Sequence, residues 1–163
     1  MKLARILVPT DLSPASLTAL DYAAGLAQPF NAEVVVIFVV EPIVYATPGD
    51  LYGAAADLGP VLQEQERSGR LQLQKLHARY GKKIAKLRVV QQTGTPYTTI
   101  AAAAKKLRAD LIVMSTHGRT GLSHLFLGSV AEKIVRTSPC PVLTVRAGTK
   151  TRTGARRRPR TKR

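Results

Sequence analysis

Short apolar runs alternate with amphipathic stretches along the whole chain. Ile6-Leu7-Val8 is the first run, and Val34 to Val40 is seven apolar residues without a break, rich in β-branched types. A run of that kind fits a strand buried on both faces, as in a parallel sheet; an antiparallel strand with one wet face would alternate. Leu87 to Val90 predicts a third strand, Asp110 to Met114 a fourth with the core Leu111-Ile112-Val113-Met114, and Pro141 to Val145 a fifth.

Helical patterns fill the gaps. Ser13-Pro14 is a helix start, with serine as cap and proline at the first helical position. Leu17, Leu20, Ala24 and Ala27 follow at helical spacing, and Asn31 ends the helix. Val61 to Tyr80 reads as an amphipathic helix with Leu62, Leu73, Leu76 and Tyr80 inward; Ser68-Gly69 weakens it midway and predicts a kink. Gly94-Thr95-Pro96 opens a third helix carried by Ile100, Ala103, Ala104 and Leu107, and Gly128-Ser129 a fourth carried by Val130, Ile134 and Val135. Strands alternating with helices predict a single α/β domain, a parallel sheet with helices on both faces. The length of 163 residues fits one domain.

Two segments break the pattern. Glu41 to Pro60 carries Pro42, Pro48, Gly49, Gly53, Gly59 and Pro60 with Tyr45 and Tyr52; a loop this long reads as a lid over a ligand or as a variable insertion. The other runs from Ser115 through Thr116, His117, Gly118, Arg119 and Thr120 to Gly121, and then to Gly128-Ser129. A strand leading through glycines into a helix start is a cradle for phosphate, because amides approach the anion closely and the helix end adds its dipole; it is equally a tight turn. It lacks the Gly-x-Gly-x-x-Gly of the dinucleotide fingerprint and the Gly-Lys-Ser/Thr of a P-loop. Arg119 is a candidate for phosphate. For His117 nothing nearby supplies the orienting partner of a triad.

The chain resembles the universal stress protein family at both ends. The stretch Gly118, nine residues, Gly128-Ser129 is similar to the family's C-terminal signature, with Ser115 where that signature has its first glycine. The run SPCPVLTVR resembles the family's last strand, and ILVPTDLSPAS its first strand and turn; together they cover Met1 to Arg146. The resemblance implies a Rossmann-like sheet in the order 3-2-1-4-5 and a homodimer joined through Val142 to Val145. It implies ATP as ligand, with Mg²⁺ or Mn²⁺, and a regulatory role in a stress response with at most slow ATPase activity. By matching positions, Pro9, Thr10 and Val39 would meet the adenine. Asp11 would lie beside the ribose and phosphates and could meet a metal, and Gly118, Gly128, Ser129 and Val130 would cradle the triphosphate; Met114 and Ser115, at the end of the fourth strand, and Arg119 complete the candidate site. Asp11 also reads as a cap of the first helix.

Composition narrows the alternatives. Three scattered histidines and the lone Cys140 show no zinc spacing and no internal disulfide, and Cys140 reads as a packing residue. No stretch approaches the roughly 18 apolar residues of a membrane span, so the expected location is cytoplasmic. The net charge of +15 is uneven: Gly148 to Arg163 holds eight of the 25 basic residues and no acid, leaving the body, residues 1–147, at +7. That basic tail has no apolar periodicity and is expected to be disordered, as a solubilising extension or an arm for nucleic acid or another polyanion. A nucleic-acid-associated stress protein and a dimeric module that binds no nucleotide are the alternatives to the ATP-binding reading.

Overall fold

The computed structural model describes residues 3–42, 59–116 and 128–146. Its elements run β1 (Arg5–Thr10), α1 (Pro14–Phe30), β2 (Glu33–Val40), α2 (Gly59–Tyr80), β3 (Leu87–Thr93), α3 (Pro96–Leu107), β4 (Leu111–Ser115), α4 (Ser129–Thr137) and β5 (Val142–Val145). The five strands are parallel in the order β3-β2-β1-β4-β5, as expected. Most of the segment 41–60 and all of Gly148 to Arg163 lie outside the described residues, as do His117, Gly118 and Arg119.

The unbroken apolar strands exist because both faces are covered. Ile6, Val8, Val34 and Val36 pack with Leu20, Ala23, Leu73, Leu76 and Tyr80, from α1 and α2. Leu7, Val35, Ile37 and Ile112 point the other way, onto Ile100, Ala103, Ala131 and Ile134 of α3 and α4. Tyr80 anchors the end of α2 at 1% exposure. Burial pushes its phenol pKa up, and the neighbouring Asp21 adds to the shift, so the ring stays neutral.

Local signals hold at the helix ends. Ser13 caps α1, its Oγ accepting the Ser16 N–H at 3.3 Å, with Pro14 in the first turn. Asn31 closes α1 in the left-handed region at φ 50°. Through Ser68-Gly69 the helix is unbroken, α2 running from Gly59 to Tyr80. Gly69 is instead the point where helix meets sheet: a Cβ there would stand 2.7 Å from Phe38 Cε1 and 2.7 Å from Gln91 Oε1. β3 continues past Val90 to Thr93 because its polar end still pairs with Phe38, Val39 and Val40.

Candidate functional site

At the C-terminal edge of a parallel sheet the connections leaving adjacent strands diverge where strand order reverses, and a crevice opens between them. Here β1 leads to α1 on one face while its neighbour β4 leads towards α4 on the other. A cavity of about 360 Å³ occupies that place. Pro9, Thr10, Asp11, Val39, Met114, Ser115, Gly128, Ser129 and Val130 all line it, so residues from the first motif, from β2 and from the last motif meet in space. Gly118 and Arg119 lie outside the described residues. Ser16, Ile37, Glu41, Pro96, Ile100, Thr116 and Ala131 complete the lining without having been singled out. A second cavity of about 900 Å³, under α2 on the other face, shares Asp11, Val39, Glu41 and Pro96 with the first.

The floor is apolar: Pro9, Ile37, Val39, Ile100 and Met114 offer a slot for a flat base. One wall is a helix start. Gly128 is the N-cap of α4, with no side-chain cap bond and φ −59°, ψ 147°, a conformation open to any residue. The first-turn amides of α4 therefore present their donors and the positive dipole end at the cavity. Thr95, the N-cap of α3, likewise makes no side-chain cap bond, and Pro96 after it lines the same cavity.

Around Asp11 the chain turns tightly. Asp11 Oδ1 accepts the Ser13 N–H at 3.0 Å, and Leu12 sits at φ 66°. Ser13 caps α1, and Asp11 holds the cap residue by its N–H. Thr10 Oγ1 is 2.8 Å from Ser16 Oγ and accepts the Leu12 N–H at 2.9 Å, so its hydroxyl serves the turn. Ser115 ends β4 opposite Val145 and is half-buried, and its φ is not positive, so serine in the glycine position carries no backbone strain. The strand end and the helix start are tied together: Thr116 N–H donates to Val145 O at 3.0 Å and Gly128 N–H to Thr116 O at 2.8 Å. Cys140 packs at the foot of α4, its N–H donating to Ser138 Oγ at 3.2 Å.

Among the described residues no cluster of three or more histidine, cysteine or carboxylate side chains is arranged to hold a metal. A metal at Asp11 would have to arrive with phosphate oxygens as its other ligands, the habit of Mg²⁺. Among the described residues no helix is long and apolar enough to cross a membrane.

Sheet order, switch-point cavity and open helix start together define a Rossmann-like α/β domain with a cavity at its switch point. Residues 2–146 match the model of the universal stress protein family. A universal stress protein of Methanocaldococcus jannaschii is 37% identical over 144 residues, 87% of this chain and 81% of that protein. Among solved structures, the universal stress protein UspA from Lactobacillus plantarum superposes with a TM-score of 0.76 at 28% identity, covering 90% of this chain and 99% of its own. A universal stress protein in complex with cAMP shares the fold at a TM-score of 0.67 and 24% identity, covering 90% and 99%. The chain belongs to the universal stress protein family.

Proposed function

We propose that this chain is an ATP-binding regulatory protein of the universal stress response, with at most slow hydrolysis. The observation that carries the reading is the convergence of the first and last motifs on one cavity, with an apolar floor and the donor end of α4 as wall. The relative crystallised with cAMP supports an adenine nucleotide. In this reading the base lies on Pro9, Val39 and Met114, and Gly128, Ser129 and Val130 receive phosphates. Asp11 meets a ribose hydroxyl or a phosphate-bound Mg²⁺ or Mn²⁺. Such a site positions and neutralises phosphate, which gives slow turnover without a dedicated base.

Thermal melting with ATP tests it. Ligand at 100 times its dissociation constant adds about 2.7 kcal/mol, which for a domain of this size raises Tm by about 5–10 °C. The increment should shrink more for Asp11→Ala with Mg²⁺ than in EDTA if the carboxylate holds the metal. No increment at millimolar Mg-ATP would leave the chain as an interaction module.

Assembly as a homodimer belongs to the same proposal. Among the described residues β5 pairs only with β4, and Leu143 on it and Val135 on α4 are 37% and 50% exposed. An open edge is a template for pairing, and a two-fold partner covers the edge of both subunits at once. Leu143→Lys should convert the dimer to monomer in light scattering; a wild type already monomeric at micromolar concentration removes this part.

A further inference from the structure

The opposite edge of the sheet, where β1 to β4 begin and α1 to α3 end, is cationic. Arg79, Lys82, Lys83, Lys86 and Arg88 come from the end of α2 and the entry to β3, Lys105, Lys106 and Arg108 from the end of α3, and Arg5 opens β1. Arg79 and Lys83 each lie 5.5 Å from the centre of the Tyr80 ring, which Asp21 of α1 also approaches. Two further acids sit among the cations, and both are engaged. Glu33 takes Arg5 at 2.6 Å and Arg88 at 3.0 Å. Asp110 Oδ2 accepts the N–H groups of Ala4 and Arg5, each at 2.8 Å. None of the ion pairs among the described residues involves Arg79, Lys82, Lys83, Lys86, Lys105, Lys106 or Arg108.

Helix dipoles account for part of this. Arg79, Lys105 and Lys106 lie in last turns, where a cation offsets the carbonyl end. Lys82, Lys83, Lys86 and Arg108 lie beyond those turns and are exposed. From β3 to β4 is three strand spacings, so the cations span about 15 Å, enough for several consecutive phosphates. The same edge carries an aromatic: Phe30, the last residue of α1, is 51% exposed. The next residue is bound to the cationic rim, since Lys86 Nζ donates to Asn31 O at 3.1 Å.

We propose that this pole is a second binding surface, for single-stranded nucleic acid, with phosphates on the lysines and Arg108 and a base stacked on Phe30. An exposed aromatic beside a row of cations is the combination that binds single strands without reading sequence. A single ring is a stacking platform rather than the broad apolar face of a membrane-inserting element. The surface lies at the other end of the strands from the nucleotide cavity and does not depend on that reading.

The test uses the full chain and a fluorescent oligouridylate, titrated at several salt concentrations. Each neutralised phosphate contributes about −0.7 to the slope of log affinity against log salt on single strands. Lys82→Ala/Lys83→Ala/Lys106→Ala should therefore flatten the slope by about 2. Phe30→Ala should weaken binding about tenfold and leave the slope alone. The basic tail is present in every protein compared, so its contribution cancels, and melting curves show whether each variant is folded. Equal slopes for wild type and triple variant overturn the proposal, and so does an unchanged affinity in Phe30→Ala. Tighter binding to phosphatidylserine vesicles than to the oligonucleotide, lost in the same triple variant, overturns it in favour of a membrane surface.

Discussion

Gly128→Leu is expected to lower ATP affinity at least about 100-fold while the domain still folds. The backbone at Gly128 has ordinary angles, so a side chain there introduces no conformational strain. As an N-cap, leucine in place of glycine costs under about 1 kcal/mol of helix stability. What it removes is close approach. Gly128 lines the cavity at the start of α4, and a branched side chain there holds the phosphates off the first-turn amides. Two charge-assisted hydrogen bonds lost at about 1.5–3 kcal/mol each amount to at least about a hundredfold. Calorimetric titration of ATP into both proteins measures this, and equal affinities would place the phosphates elsewhere.

Gly69→Val should destabilise the domain by about 2–3 kcal/mol, seen as a Tm lower by about 5–10 °C in the absence of ligand. The added Cβ alone comes within 2.7 Å of the Phe38 ring edge and of Gln91 Oε1. Gln91 has little freedom to withdraw, because its Nε2 donates to Glu66 O at 3.0 Å while its Oε1 is buried without a partner. Two γ-methyls then force α2 outward along the face where Leu73 and Leu76 are buried. Valine's modest helical advantage over glycine, about half a kcal/mol, does not offset that. A Tm within a degree of wild type would show that helix and sheet separate there at little cost.

Gly69 marks a limit of reading the chain alone. A glycine in a helical pattern signals weakness locally, and only the proximity of Phe38 and Gln91 turns it into a contact requirement. The same division runs through the fold. The uninterrupted Val34–Val40 run, the Ser13-Pro14 start and the Asn31 stop are local chemistry and were legible. The extension of β3 through Gln91, Gln92 and Thr93 was not, because at a sheet edge pairing with β2 outweighs side-chain polarity. In the site, Pro9 and Gly128 were legible through the two terminal motifs, Val39 through the position that the family resemblance matches, and Met114 as the end of the fourth apolar run. Ile37 carried a usable signal, lying two residues before Val39 and so on the same face of β2. Pro96 and Ile100 carried none, since no pattern in α3 says that its first turns reach a cavity framed by β1 and β4.

The tie between Thr116, Gly128 and Val145 has a consequence for how the molecule responds as a whole. The donor end of α4 hangs, through a single residue, on the backbone of the edge strand. Steadying that strand against a second chain would remove in advance part of the motional freedom that a ligand must quench at the helix start. The two events then share one coupling free energy, and whatever assembly adds to the affinity for nucleotide, nucleotide must return in equal measure to assembly.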